Sequence, residues 1–286
     1  MTLPVVPFGR HRVTRLIMGG NPLRGNSHFT EELSREMGAY HTYETVSATF
    51  RECERNGINT VQMRGDAIIF DWIDRYRKEG GRLQWILQTA SEWTKGIPDN
   101  IREIARHDVI GIYHHGSKTD NLWKEGKIEQ VGEYLKVIRD TGLVTGLGTH
   151  MPEVIEYAEE HGWDLDFYMA CLHNLSKIRR ESVLAGGAFV TEPFDEEDRA
   201  TMGGTIRKTK KPCCAFKILS AGRKCRSPEE IRRAFAETLA AIKPYDVMVA
   251  GMWQKHANQV RMNADTVRDL LGNRLMERPI QKGGRR

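Results

Sequence analysis

Residues 129–170 read EQVGEYLKVIRDTGLVTGLGTHMPEVIEYAEEHGWDLDFYMA, and this stretch decides the fold. Glu129 to Asp140 carries a helical pattern that stops at Gly142, and Val144 to Leu147 follows as a short apolar strand. Glu153 to His161 repeats the helix, Gly162 stops it, and Leu165 to Ala170 repeats the strand. A glycine can adopt the left-handed conformation that ends a helix, and a short run apolar on both faces suits a strand covered on both sides. Helix, glycine and buried strand in succession form the unit of a parallel sheet wrapped by helices.

The same unit extends in both directions. Toward the N-terminus, strands are expected at Val13 to Met18, Asn59 to Met63, Leu83 to Gln88 and Val109 to Tyr113. Helices are expected at Tyr43 to Asn56 (closed by Gly57), Asp71 to Lys78 and Ile101 to His107. Toward the C-terminus, an irregular stretch at Phe189 to Asp195 precedes a helix at Glu196 to Lys208 and a strand at Cys213 to Ile218. A helix at Pro228 to Ala241 with Ser227 as its N-cap, a strand at Asp246 to Ala250 and a helix at His256 to Leu271 complete the series. Eight strands, each followed by a helical element, predict an α/β fold: one closed (β/α)8 TIM barrel in a single domain over residues 1–280. Residues 281–286 read as a basic tail. No Gly-x-Gly-x-x-Gly follows the first strand, which argues against an open dinucleotide-binding sheet.

Composition narrows the partners. The 286 residues carry 43 Lys and Arg against 38 Asp and Glu, a net charge of +5. Lys282, Arg285 and Arg286 in the tail and the run Arg207, Lys208, Lys210, Lys211 hold much of that excess, so the body is nearly neutral and no nucleic-acid partner is expected. The N-terminus lacks a signal-type apolar region, and no apolar run reaches the roughly 18 residues of a membrane span. Five cysteines without a Cys-x-x-Cys suggest reduced thiols. A cytoplasmic protein with a small polar or anionic ligand and no membrane partner is the expectation.

In such a barrel the chemistry sits at the C-terminal ends of the strands. There the sequence sets Gln62, Arg64 and Asp66, then His114 and His115, Thr149 and His150, Cys171 and His173, Lys217 with Gly222 and Arg223, and Gly251. Arg64 could clamp an anion or pair with Asp66 as a loop brace. Cys171 reads as a buried small hydrophobe rather than a nucleophile, and Trp93 and Trp253 stand where they could stack on a ring.

Several of these segments resemble the aldo-keto reductases. Phe8-Gly9-Arg10, Val13 to Leu16 and Gly19-Gly20 look like that family's opening, and Gly57-Ile58-Asn59 like its entry to the second strand. Gly111 to Gly116 resembles the strand ending in its catalytic histidine, here His115. Thr141 to His150 is similar to a Gly-x-Ser-x-His strand of the iron–sulfur-associated branch, with Gly148 where Ser is usual. Phe216 to Arg223 with Ser227 to Glu230, and Gly251-Met252 with Gln259, Val260 and Asn263, look like the family's phosphate-side and cofactor segments. The resemblance therefore implies a TIM barrel with NADPH held by Lys217, Gly222, Arg223, Gly251, Gln259 and Asn263.

The family's Asp, Tyr, Lys and His tetrad is mostly missing. The Asp position falls on Gln62, the Lys position near Ala90, and Arg64, Gly65 and Asp66 stand where a tyrosine would follow. A tyrosine donates its proton to a carbonyl only when a nearby ammonium lowers its pKa, so the reductase mechanism is not expected to survive. The sequence points instead to proton transfer, as in a lyase, isomerase or epimerase, on a small polar carbonyl or sugar-like substrate. Its candidate groups are His115, Arg64, Gln62 and Asp66. A divergent NADPH-dependent oxidoreductase and a non-catalytic ligand-binding barrel stand as alternatives. His115, His150 and His173, near the ends of three consecutive strands, could hold a divalent metal with Asp66, Glu92 or Glu192 adding a carboxylate. Only one of His114 and His115 should enter the barrel.

Overall fold

The structure, a computed structural model, describes residues 2–178 and 183–276. Eight parallel strands close into a barrel: β3 (Leu16–Gly19), β4 (Thr60–Arg64), β5 (Gln84–Gln88), β6 (Gly111–His114), β7 (Val144–Thr149), β8 (Phe167–Cys171), β9 (Cys213–Phe216) and β10 (Val247–Gly251). The seam joins β10 to β3, with Met248 opposite Leu16 and Gly251 opposite Gly19. Around it lie α1 (Glu31–Tyr40), α2 (Tyr43–Arg55), α3 (Ala67–Lys78), α4 (Ile97–Ile104), α5 (Gly116–Lys124), α6 (Glu129–Asp140), α7 (Pro152–Glu160), α8 (Glu196–Lys208), α9 (Pro228–Ala241) and α10 (Gln259–Met276). The expected (β/α)8 barrel is the fold, in one domain. Residues 277–286, which contain the expected tail, lie outside the described residues.

The expected first strand divides in two. β1 (Val5–Phe8) and β2 (His11–Thr14) form an antiparallel hairpin, and β3 enters the barrel only after Arg15. Arg15 breaks the run because its buried guanidinium turns to donate to the carbonyls of Asp246 (3.2 Å) and Lys243 (3.2 Å). The hairpin plugs the barrel's lower end: Phe8 packs its ring 4.7 Å from Phe167, within an apolar cluster that includes Ile17, Ile86, Val144, Met169, Cys214 and Val249. Gly9 turns the hairpin at φ +56°, and a Cβ there would lie 2.7 Å from Val144 Cγ2. A separate, larger cluster fills the layer between strands and helices, among it Val61, Trp85, Leu147, Val154 and Phe235.

Helices α6, α8 and α9 keep the bounds that the sequence predicts, and Ser227 caps α9 by accepting from Glu230 N. The expected strand from Cys213 stops at Phe216 because Lys217 takes φ +60°. Two helices escape sequence reading. α1 buries only Met37, and α5 buries Ser117, Thr119 and Asp120, so neither presents a run of buried apolar side chains. The five cysteines, all among the described residues, form no disulfide. Among the described residues no helix is long and apolar enough to cross a membrane.

Candidate functional site

At the C-terminal mouth, inward alternation along β4, β5 and β6 brings three polar side chains together. Gln62 Nε2 donates to Tyr113 Oη (2.8 Å), and Tyr113 Oη donates to Gln88 Oε1 (3.0 Å). Burial pushes the Tyr113 phenol well above its ordinary range, so it stands there as a neutral hydroxyl. Sequence reasoning missed it, because the tyrosine comes from a strand other than the one the family would use. Ala90, at the position of the family lysine, is buried and offers only its backbone N–H, donated to Asn100 Oδ1 (2.8 Å).

Arg64 and Asp66 are drawn into a brace across the rim. Asp66 caps α3 by accepting from Ile69 N (3.1 Å) and pairs with Arg24 (3.2 Å). The buried Arg64 grips the Glu92 carboxylate with Nε (2.9 Å) and Nη2, and its Nε lies 3.9 Å from Asp66. The anion that Arg64 clamps is therefore a side chain of this protein. Trp93 is held edge-on against Phe70, 5.9 Å between centroids, and donates to Asp99 (3.0 Å).

Small-ligand sites typically enclose about 300–1,000 Å³, and a cleft of 430 Å³ opens over the ends of β9, β10 and β3. Gln62 reaches it from below, and α1 roofs it with Leu33 and Met37. Of the residues expected to hold a cofactor, Lys217, Gly222, Gly251, Gln259 and Asn263 all line it, and Trp253 joins them. Arg223 does not. It stacks on Phe194 (4.1 Å) and Phe29 (5.0 Å) and donates to His28 O (3.0 Å), tying three loops together.

Two features suit this cleft to a ligand. Asn263 is 4% exposed and Asn26 7%, yet neither side-chain amide hydrogen-bonds to another described residue. Both amides open to the cleft, where a ligand can take up their donors and acceptors. The backbone beside it is also held in left-handed conformations: His28 at φ +56°, Lys217 at +60°, Ser220 at +48° and Ala221 at +53°. Each such non-glycine residue costs on the order of 1 kcal/mol or more, and strain of this kind gathers at functional sites.

Next to the cleft lies a charged group that sequence reasoning did not assemble. His28 Nδ1 lies 2.8 Å from Glu192 Oε1, and Lys217 Nζ lies 3.7 Å from Glu192 Oε2. Asn21 Nδ2 can only donate, so at 3.0 Å it makes His28 Nε2 the acceptor and leaves the ring proton on Nδ1, facing Glu192. His28 and Lys217 line the cleft, and the nearly buried Glu192 stands behind them.

The histidines near the ends of β6, β7 and β8 do not converge. His114 points outward, against Tyr134 and Thr119 Oγ1 (2.8 Å), while His115 stands at the N-cap position of α5 without a side-chain cap, its backbone N–H donating to Thr89 Oγ1 (3.1 Å). His150 Nδ1 is 2.6 Å from the buried Asp120 carboxylate. His173 spends both ring nitrogens, Nδ1 on Asp195 O (3.1 Å) and Nε2 on Ser220 Oγ (2.9 Å), and burial pushes it down to about 4. The expected three-histidine metal site is thus corrected: with its ring nitrogens engaged, His173 has no lone pair to spare. Among the described residues, no three or more His, Cys, Asp or Glu side chains are grouped to hold an ion. Cys171 is fully buried within β8, as expected of a small hydrophobe.

No protein-family model matches this chain, and no curated protein matches its sequence. Solved structures do match its shape. A putative aldo-keto reductase from Pseudomonas aeruginosa superimposes with a TM-score of 0.63 at 13% identity, covering 94% of this chain and 97% of that one. The holo form of an aldo-keto reductase from Bacillus halodurans gives 0.59 at 12% identity, covering 93% and 91%. A truncated 3-deoxy-D-arabino-heptulosonate 7-phosphate synthase from Thermotoga maritima gives 0.57 at 12% identity, covering 96% and 94%. The likeness is one of fold. Barrels of this shape carry many unrelated activities, so the site decides the chemistry.

Proposed function

We propose that this protein is an enzyme, a divergent aldo-keto-reductase-like barrel that moves a proton on a small polar or anionic carbonyl or sugar-like substrate held in the 430 Å³ cleft. The observation that carries this reading is the pair of cleft-facing amides, Asn26 and Asn263, neither bonded to another described side chain, in a cleft that also presents His28 and Lys217. The amides recognise hydroxyl or carbonyl groups. Lys217 offers a cation to an enolate oxygen or a phosphate. His28 Nε2, with its ring oriented by Glu192, takes a proton from the carbon beside the carbonyl once the substrate displaces the Asn21 amide from it, and returns the proton to the product. A lyase, isomerase or epimerase fits this set. A tyrosine–lysine proton donor does not, since Ala90 stands near the lysine position and Arg64, Gly65 and Asp66 stand where the tyrosine would follow.

Incubation with free and phosphorylated ketoses and 2-keto acids in D2O tests the reading, with proton NMR following deuterium entry at the carbon next to the carbonyl. Exchange is expected with at least one substrate class, slowed roughly 100-fold by His28→Gln. Absence of exchange with every member, or full exchange in His28→Gln, refutes it.

A second reading, a divergent NADPH-dependent oxidoreductase, has its own support in Gly251, Gln259 and Asn263 sharing the cleft. There Gln259 and Asn263 would hold the nucleotide from α10 and Lys217 would meet a phosphate. Bound NADPH supplies a hydride. Fluorescence titration with NADPH separates the two readings, and absence of binding removes the second.

A further inference from the structure

A second cavity, of 340 Å³, lies on the same face of the barrel but over different strands. The chain leaving β7 gives it His150, the turn after β8 gives it Asn174, and helices α7 and α8 wall it with Glu153, Glu156, Asp198 and Lys208. His150 does not line the larger cleft, and none of the residues assigned there lines this one.

Behind His150 the packing is specific. Asp120, on α5, is fully buried, and its carboxylate accepts from Thr149 Oγ1 (2.5 Å), from the His150 backbone N–H (3.2 Å), from Ser176 Oγ and from His150 Nδ1 (2.6 Å). A carboxylate buried this deeply and given only donors can be met by Nδ1 only in its protonated form. That leaves Nε2 with the lone pair. His150 is 4% exposed, its Nε2 hydrogen-bonds to no described residue, and the side chain lines the cavity. Phe216 holds the ring edge-on at 5.5 Å, and a Cβ at Gly116 would lie 3.3 Å from His150 Cε1, so a glycine there makes room for the ring.

We infer that Asp120 and His150 form an oriented acceptor dyad serving a second ligand site, in which Nε2 receives a hydrogen bond or a proton from a hydroxyl or ammonium group. Of the three carboxylates on the cavity wall, Asp198 pairs with Lys177 (2.8 Å) and Glu156 lies 3.8 Å from Lys208, so Glu153 is the acid that favours a small cationic or amino-polyol ligand over an anion. Asp120 is the positioning residue and His150 the group that touches the ligand. The proposal stands apart from the cleft chemistry: either could hold without the other.

NMR of nitrogen-15-labelled full-length protein tests it. The His150 ring is expected as the Nδ1–H tautomer, with a strongly downfield Nδ1 proton that disappears in His150→Gln and moves upfield in Asp120→Asn. Titration with glucosamine, glucose and glucose 6-phosphate follows the same ring. Glucosamine is expected to shift the His150 resonances at about tenfold lower concentration than glucose 6-phosphate, and to lose that effect in Asp120→Asn. An Nε2–H tautomer, no response to glucosamine, or a stronger response to the phosphate overturns the proposal. Circular dichroism confirms that each variant folds, and His150→Gln leaves the partners of Asp120 other than the ring in place if that substitution proves the milder one. Deuterium exchange on the keto substrates, unchanged in His150→Gln, keeps the outcome separate from that of the cleft.

Discussion

Acid should weaken this barrel through His114, and the size of the effect follows from where that ring sits. The ring is 1% exposed, stacked on Tyr134 with centroids 5.3 Å apart and bonded to Thr119 Oγ1. Burial pushes its pKa down from 6.5 to about 4, partly offset by the attraction of Asp120. A group whose folded pKa is depressed binds more protons in the unfolded chain, so its contribution is complete above about pH 6.5 and is lost as pH falls toward about 4. A shift of that size corresponds to about 3 kcal/mol in full, of which about 2.5 kcal/mol has gone by about pH 4.5. Against a typical stability of about 5–15 kcal/mol this is a large share. Urea unfolding at a series of pH values, in the protein and in His114→Phe, isolates the term. The substitution keeps the stacked ring and removes the titrating group, so its stability should fall less steeply between about pH 6.5 and about pH 4.5, by about 2.5 kcal/mol. Parallel curves for the two proteins would refute the reasoning.

Other substitutions test other parts of the argument. Gly148→Ser, which restores the residue usual in the resembled family, should destabilise by about 1–3 kcal/mol, because a Cβ there meets His114 O at 2.8 Å and Gly116 N at 2.9 Å; thermal melting reads it. Asn263→Leu should leave stability unchanged or raise it by about 1 kcal/mol, since the amide has no internal partner to lose, while abolishing ligand binding in the cleft. Glu92→Ala should cost about 1–3 kcal/mol in denaturant unfolding, because the buried Arg64 guanidinium loses its clamp partner and keeps only the more distant Asp66. Phe8→Ala should cost about 3–5 kcal/mol, measured the same way, by emptying the plug under the barrel.

The barrel could be read from the chain because its signal is periodic. Apolar strands and glycine-stopped helices announce themselves, and α6, α8 and α9 fall where the pattern sets them. What escaped is the part whose job is not apolar. α5 buries Asp120 and Thr119 instead of a hydrophobic stripe, and α1 buries little, yet one carries the carboxylate behind His150 and the other roofs the cleft. Lys217, Gly222, Gly251, Gln259 and Asn263 were recognisable as a set, and they do share one cleft. The grouping of His28 with Glu192 was not recognisable, because it joins residues separated by five barrel strands and depends on a left-handed histidine that no local pattern marks. The strand-end histidines show the opposite failure. Their placement at consecutive strand ends was right, but the direction of a side chain leaving a strand end depends on which buried partner claims it, and Asp120 and Ser220 claimed two of them.

The hairpin beneath the barrel has a consequence for how the protein is made. Synthesis runs from the N-terminus, so Val6 and Phe8 exist long before Val144 and Phe167, the residues that will enclose them. Until β7 and β8 are complete, that pair of apolar side chains has only the earlier members of its cluster, such as Val13, Ile17 and Ile86, to pack against, and stays partly exposed on the growing chain.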